Sequence, residues 1–563
     1  MAKPALVIVI SVTIAAIAIV TSSVLIVNYH KQTTTFSKTA PPAAQRIFIS
    51  IQQACNTSRN PQACESSFAH KFDSNSSQQL DTIGMLQFAT QITSENLQVA
   101  RNMVDAIMGK PGSNNPNISR AVHSCMQVLD NAVYRMSLTS QALPRGQIKD
   151  ARAWMGAALV YETACWSGLN KTANGSLVME TAAYSVQTVQ NMTSDTLSML
   201  AAYNSFGNQT GLWGPAKTER DGFWDEVVNG GGGGSFVNYK NKGIPVGLPE
   251  NVTVCKAEKI CDYKTVQEAV TAAPDTNGMN KFVIRIKAGI YEETVRVPLQ
   301  KENVVFLGDG MGKTVITGSL NVGQPGMSTY ESATVGVLGD GFMMKDITVQ
   351  NTAGPDGHQA LAFRSDSDHS IVENCEFIGN QDTLCSNSHR QFYKSCIIKG
   401  NVDFIFGMST TVFQDCQIFI TSRNLSSEIN VVAAHGRSDP ALATGFVFLN
   451  CSVNGTDEFL KEVAAMPGNH KSYLGRPWKE YSRTVYIGCQ IGGLIAPQGW
   501  LNWIGDFGLA TLYFGEYMNL GPGANLTSRE AWSSRIPADH VTTYSVDNFL
   551  QGNEWIPTIP SSS

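Results

Sequence analysis

Two kinds of apolar periodicity divide the chain. From about Gln45 to Asn204, apolar residues recur at three- and four-residue steps, as at Leu80, Ile83, Leu86, Ile92, Val104 and Ile107. That interval gathers side chains on one face of a helix. The pattern returns over 118–143, where Pro144 and Gly146 stop it, and again over 147–169 and 177–203. Four long amphipathic helices predict an all-α up-and-down four-helix bundle, placed at residues 40–205. From Asn251 the pattern changes to short β-rich runs punctuated by glycine: FVIRI at 282–286, VVFL at 304–307 and TVIT at 314–317. One helix is expected early in this half, at 265–273 (TVQEAVTAA), where it could cap the open end of a β-helix. Residues 206–250 carry neither pattern and include Gly230 to Gly234 followed by Ser235, which reads as a flexible linker.

The second half also repeats. Cys375, Cys396 and Cys416 are spaced by 21 and 20, Asp382 and Asp403 by 21, and Gln359 and Gln381 by 22. A period of about 21 built from short β-branched and aromatic runs is what one rung of a parallel β-helix gives. Residues one period apart then stack on adjacent strands, roughly 4.8 Å apart. The repeat therefore brings two carboxylates, two side-chain amides and a set of cysteines side by side on one sheet face, with both aspartates in the stretch from Gly379 to Gly407 and each expected inside a short apolar strand. The β-helix is assigned to residues 251–556.

Composition narrows the function. The 563 residues are 15% charged with a net charge of −5, which suits neither a disordered chain nor a nucleic-acid binder. Residues 1–250 carry 18 basic and 15 acidic side chains, and 251–563 carry 23 and 31. The acidic second half would not hold a strongly anionic polymer by long-range attraction, so a polyanionic substrate would be held locally or be partly neutralised by esterification. Residues 5–27 are nearly all apolar and follow Lys3, so residues 1–30 read as a signal peptide or a membrane-spanning signal anchor. Either sends the chain into the secretory pathway, and twelve N-x-S/T sequons fit that route. Twelve cysteines in an oxidising compartment are expected mostly to pair. Spacing suggests Cys55–Cys64 in a short hairpin, Cys125–Cys165 across two helices, and Cys255–Cys261 around a short loop.

Several familiar chemistries are missing. GDGMGKT at 308–314 lacks the first glycine of a phosphate loop, and neither G-x-S-x-G nor H-E-x-x-H occurs. What remains is the carboxylate pair with its amides. A carboxylate can attack an ester carbonyl, but the expelled alkoxide must be protonated, so a second acid has to stand near the first. Gln359 and Gln381 are placed to donate to the tetrahedral intermediate. An arginine would lower the pKa of the nucleophile while like charge raises that of its partner. LGRPW at 474–478 offers Arg476 for this, with Trp478 as an apolar face for a sugar ring.

These residues carry a resemblance. GIYEE (289–293), QALAFR (359–364), GNQDTLC (379–385), DFIFG (403–407) and LGRPW (474–478) resemble the motifs of the plant pectin methylesterase family in the family's order. The N-terminal half, through the Cys55 to Cys64 hairpin, SCMQVLDNAV (124–133) and ARAWMGAALVYETAC (151–165), resembles the invertase and pectin methylesterase inhibitor family. The first resemblance implies a right-handed parallel β-helix esterase acting without a cofactor on methyl-esterified homogalacturonan at the cell wall or outside the cell. It implies Asp403 as nucleophile and Asp382 as general acid, then base. It further implies Gln359 and Gln381 as the oxyanion hole, Arg476, Trp478 and Gln359 as substrate contacts, and a Cys396–Cys416 bridge beside the nucleophile. The second implies a partner relation in which a helical bundle, this chain's own or an external one, restrains the esterase. Proteins that join the two halves often carry a dibasic processing site in the linker, and none stands here. Asn380, Cys385, Asn401 and Met408 depart from the family pattern, which puts the sugar contacts in question.

Two other classes compete. A β-helix lyase or galacturonase would need a calcium-binding acidic cluster or further aspartates with a G-H-G turn, and neither occurs. A catalytically impaired pectin-binding or inhibitory protein is the alternative kept open by the departing residues.

Overall fold

The computed structural model describes residues 49–559 except 70–79, 109–115, 173–175, 225–240, 257–259, 277 and 279. The apolar segment 5–27 and the glycine run lie outside the described residues. Within them, no helix is long and apolar enough to cross a membrane. The described residues form one compact unit.

The four predicted helices form as α1 (Thr82–Asp105), α2 (Pro116–Ala142), α3 (Ile148–Thr172) and α4 (Leu177–Phe206). Asp81 caps α1 by accepting from the Gly84 N–H at 2.7 Å. The buried faces of all four share one apolar core. Disulfides join Cys55 to Cys64 ahead of the bundle and Cys125 on α2 to Cys165 on α3.

The β-rich half is a parallel β-helix. Its strands lie in three sheets of eleven, seven and eight, and every pairing between neighbouring strands is parallel. Leu384 pairs with Ile405 and Phe377 with Ile398, each 21 residues on, so the sequence period is the rung. In-register side chains stack inside the coil as an aromatic column in which Tyr393, Phe413, Phe448 and Tyr486 follow at 4.4–5.0 Å between ring centres. The expected helix forms as Val266–Ala272 and buries Val266, Ala269 and Val270 against the end of this core. Thr265 and Glu268 close its first turn reciprocally. A third disulfide joins Cys255 and Cys261.

One pairing is corrected. Cys396 and Cys416 are separate buried thiols, as are Cys375, Cys385, Cys451 and Cys489. In-register side chains on parallel strands point the same way instead of converging. Each thiol turns back to its own strand, Cys396 Sγ to the Lys394 carbonyl at 3.4 Å and Cys416 Sγ to that of Gln414 at 3.4 Å.

The described parts of 206–250 are fastened to the β-helix. Glu219 lies 2.8 Å from Arg483, Trp224 stacks on His540 with ring centres 4.5 Å apart, and the Ile244 N–H donates to Glu373 at 2.8 Å. The bundle is docked as well. Arg135, fully buried, forks onto Asp340 at 2.5 and 2.8 Å. Trp154 donates to Asp368 at 2.9 Å, while Arg390 reaches Asp150 at 2.6 Å and Ser194 reaches Asp439 at 2.5 Å. Leu442 of the β-helix enters the bundle core against Gly156, where a Cβ would stand 2.8 Å from its methyl group.

Glu162 is fully buried in the bundle, bonded only through Oε1 to Thr193 at 3.0 Å, and burial pushes its carboxyl up to about 8. Its contribution to bundle stability is complete below the unfolded value of 4.5 and is lost as pH rises toward 8. The loss is at most about 5 kcal/mol. Glu162→Gln should flatten this dependence, and urea unfolding at pH 5 and pH 8 measures it; an equal pH slope in the variant would contradict the assignment.

Candidate active site

The strands Phe363–Ser365, Leu384–Ser386, Val402–Gly407, Glu428–His435 and His470–Gly475 lie side by side in the seven-stranded sheet and build the site. Asp403 is the second residue of Val402–Gly407, at a register shift between Val402 and Ile405. Asp382 precedes Leu384–Ser386, in the turn and not in the strand as expected. Both adopt left-handed backbone, φ 64° at Asp382 and 49° at Asp403, a costly conformation for a residue with a side chain. The turn-and-bulge geometry aims both carboxyls out of the coil. Gly407 (φ 137°) lets the strand that carries Asp403 lie close on the previous rung, since a Cβ there would meet the Ser386 carbonyl oxygen at 1.8 Å.

Arg476 follows the strand His470–Gly475 and grips Asp403 with both ends of its fork, Nε to Oδ1 at 2.8 Å and Nη2 to Oδ2 at 2.5 Å. The Trp503 ring lies 4.3 Å from the guanidinium carbon. Burial raises the Asp403 carboxyl above its usual range, and Arg476 pulls it part of the way back. The arginine therefore offsets burial without producing the depressed value expected from sequence. Among the described residues Asp382 has no such hydrogen-bonded cation, and Arg476 acts on it only through space. Burial, then the neighbouring Asp403 charge, hold it well above the carboxylate range. The pair is thus differentiated, with a proton favoured on Asp382 and negative charge on Asp403.

Gln359, Gln381, Asp382, Asp403, Arg476 and Trp478 all line one cavity of about 430 Å³. The sequence-predicted residues are brought together without exception. Gln359 and Gln381 are half-buried on the turns leading to successive rungs, linked by the Ala360 N–H to the Gln381 carbonyl at 3.2 Å. Trp478 packs edge-on to Phe406 with ring centres 5.9 Å apart, over Gly436, which leaves room for it. Two of the departing residues answer each other: the Asn401 amide donates to Asn380 Oδ1 at 2.9 Å across one rung. The other two, Cys385 and Met408, face the cavity.

Sequence reasoning missed Trp503, an aromatic in a polar, glycine-bearing loop, which is the signal that could have found it. It also missed Thr163, Ala164 and Ser167 of α3, which form the cavity's opposite wall. No local signal marks them, because only docking brings them there. One group among the described residues has metal-ligand spacing, Glu428, Glu462 and His470. Its buried carboxylate is already matched by Arg423 at 3.1 Å and His470 at 3.0 Å.

The parallel β-helix thus gathers an unequal aspartate pair, two flanking amides and a clamped arginine around one cavity. The chain belongs to the pectinesterase family: the Pectinesterase family model matches residues 251–553, and the plant invertase/pectin methylesterase inhibitor model matches 49–199. It is 52% identical over 513 residues to the probable pectinesterase/pectinesterase inhibitor 64 of Arabidopsis thaliana, covering 90% of this chain and 84% of that one. It is 37% identical to pectinesterase 2 of Citrus sinensis, covering 90% and 93%. Among solved structures, the pectin methylesterase from carrot matches with TM-score 0.52 and 44% identity. There 55% of this chain accounts for 95% of the carrot chain, so a β-helix of this kind stands without a bundle.

Replacing Arg476 by leucine leaves Asp403 buried without its counter-charge. Its titration midpoint should move up, and carbon-13 carboxyl titration reads it directly; an unmoved or lowered midpoint would show that the guanidinium does not set it.

Proposed function

We propose that the β-helix removes methyl esters from galacturonate units of pectin, releasing methanol, and that the docked bundle restrains it. The supporting observation is the unequal carboxylate pair in the cavity, with Arg476 clamped on one member only. The ionised Asp403 attacks the ester carbonyl carbon. The electron pair moves onto the carbonyl oxygen, which the Gln359 and Gln381 amides stabilise. Collapse breaks the bond to methoxide, which takes the Asp382 proton and leaves as methanol, with the acyl group held on Asp403 as an anhydride. Asp382, now a carboxylate, accepts a proton from the incoming water. Attack by that water releases the galacturonate carboxylic acid and restores the starting pair. Arg476 holds the attacking oxygens in place, and Trp478 offers the flat face against which a sugar ring packs. The separation of the pair is one rung, close enough for both carboxyls to reach the same ester.

The position of the bundle supports restraint: α3 stands across the cavity from the aspartates, on an interface where buried arginines meet partly exposed carboxylates. The apolar N-terminal segment and the sequons fit a secreted protein acting at the cell wall.

The shortened chain 241–563 is expected to release methanol from highly methylated pectin, and Asp382→Asn should reduce this by at least about a thousandfold, since methoxide leaves poorly without a proton donor. Wild-type-like turnover in that variant would assign the acid to another residue. The full chain should be about a hundredfold slower on pectin, the reduction that follows if about 1% of molecules are open at any time; equal rates per molecule would remove the restraining role.

A further inference from the structure

The contacts that seat the bundle avoid the reacting groups. They include bonds to Asp340, Asp368, Ser388, Asp439 and the Ala441 carbonyl. Asp403 keeps its bidentate Arg476, and among the described residues no bundle side chain bonds to Asp382, Gln359 or Gln381. Thr163, one of the two α3 hydroxyls on the cavity wall, is already satisfied within the bundle: it donates to the Leu159 carbonyl at 2.7 Å and accepts from Gln190 at 3.0 Å. Between α3 and the aspartates a cavity of about 430 Å³ remains. That is space within the range of sites that hold small molecules, about 300–1,000 Å³. A chain of sugars is a different matter, because it must run on past the cavity, and the bundle bears on the segment beside the cavity-lining Tyr330 through Ser124 on Glu331 at 3.2 Å.

We infer that the bundle is a roof over a complete catalytic chamber, excluding the polymer by its length while leaving the full, closed chain an esterase toward single-sugar and smaller methyl esters. The inference rests on the proposed pectin methylesterase reading and refines its regulation. The geometry separates two ways of silencing an enzyme. A plug that bonded Asp382 or broke the pair of Arg476 and Asp403 would stop every substrate alike. A roof sorts substrates by size, because the attack of Asp403, the proton from Asp382 and the amide donors are as available under the bundle as without it.

The test compares the full chain with 241–563 on highly methylated pectin and on the methyl ester of methyl galacturonoside, one sugar long. The inference expects the full chain to be about a hundredfold slower on pectin but within about twofold on the single-sugar ester. Equal suppression of both substrates would overturn it. A second readout does not depend on turnover: carbodiimide coupling of glycine ethyl ester at pH 5, with modification of Asp382 followed by mass spectrometry. Similar labelling rates in the two chains support an open chamber, and labelling more than about tenfold slower in the full chain would overturn it. If 241–563 releases no methanol from pectin, the functional reading fails, while the labelling still judges whether the chamber is open.

Discussion

Two buried carboxyls one rung apart resist ionising together, because each pays for leaving water and each repels the other. The fork of Arg476 on Asp403 breaks that symmetry. It hydrogen-bonds one member and reaches the other only through space, so the proton is favoured on Asp382, which burial and the Asp403 charge hold high. The rest of the site is arranged to keep this inequality. The left-handed backbone at both aspartates turns them out of the coil, Gly407 permits the close approach of rungs, and Trp503 lies against the guanidinium. The apolar interior bears the strain of two costly conformations by stacking the same residue types rung after rung.

Much of this was legible in the sequence because a β-helix writes its geometry as a period. Spacings of 20 to 22 placed Gln359 above Gln381 and Asp382 above Asp403 before any coordinate was known, and the helical half showed its four helices through three- and four-residue steps. The same logic misled where direction mattered. Cys396 and Cys416 stack as the period implies, yet stacking in register keeps their sulfurs parallel and unbridged. Asp382 proved to sit in a turn, since a period fixes the rung and not the place where a strand begins. Arg476 offset burial without overcoming it, a balance that depends on desolvation and is invisible in residue spacing. Thr163, Ala164 and Ser167 carried no signal because their role arises only from how two differently patterned halves dock.

That docking is polar in a way unlike either core. Arg135 with Asp340 and Arg390 with Asp150 cross the interface as buried guanidiniums on partly exposed carboxylates, and a buried guanidinium left without its partner costs several kcal/mol. Such an interface favours one docked arrangement over near alternatives. Leu442 inserted against Gly156 fixes the same register with apolar contact. Trp213 packs into the bundle core, whereas Glu219 and Trp224 on one side of the glycine run and Ile244 on the other hold to the β-helix, so the connection is fastened on both sides.

The account stands on Asp403 as the attacking group. Its most direct test is methanol release from methylated pectin by chain 241–563 carrying Asp403→Ala, with circular dichroism and melting temperature recorded beside it. A folded variant whose release falls to the background of pectin alone is the predicted result. A folded variant that still turns over at a substantial fraction of the parent rate would contradict the account, and with it the division of labour between the two aspartates.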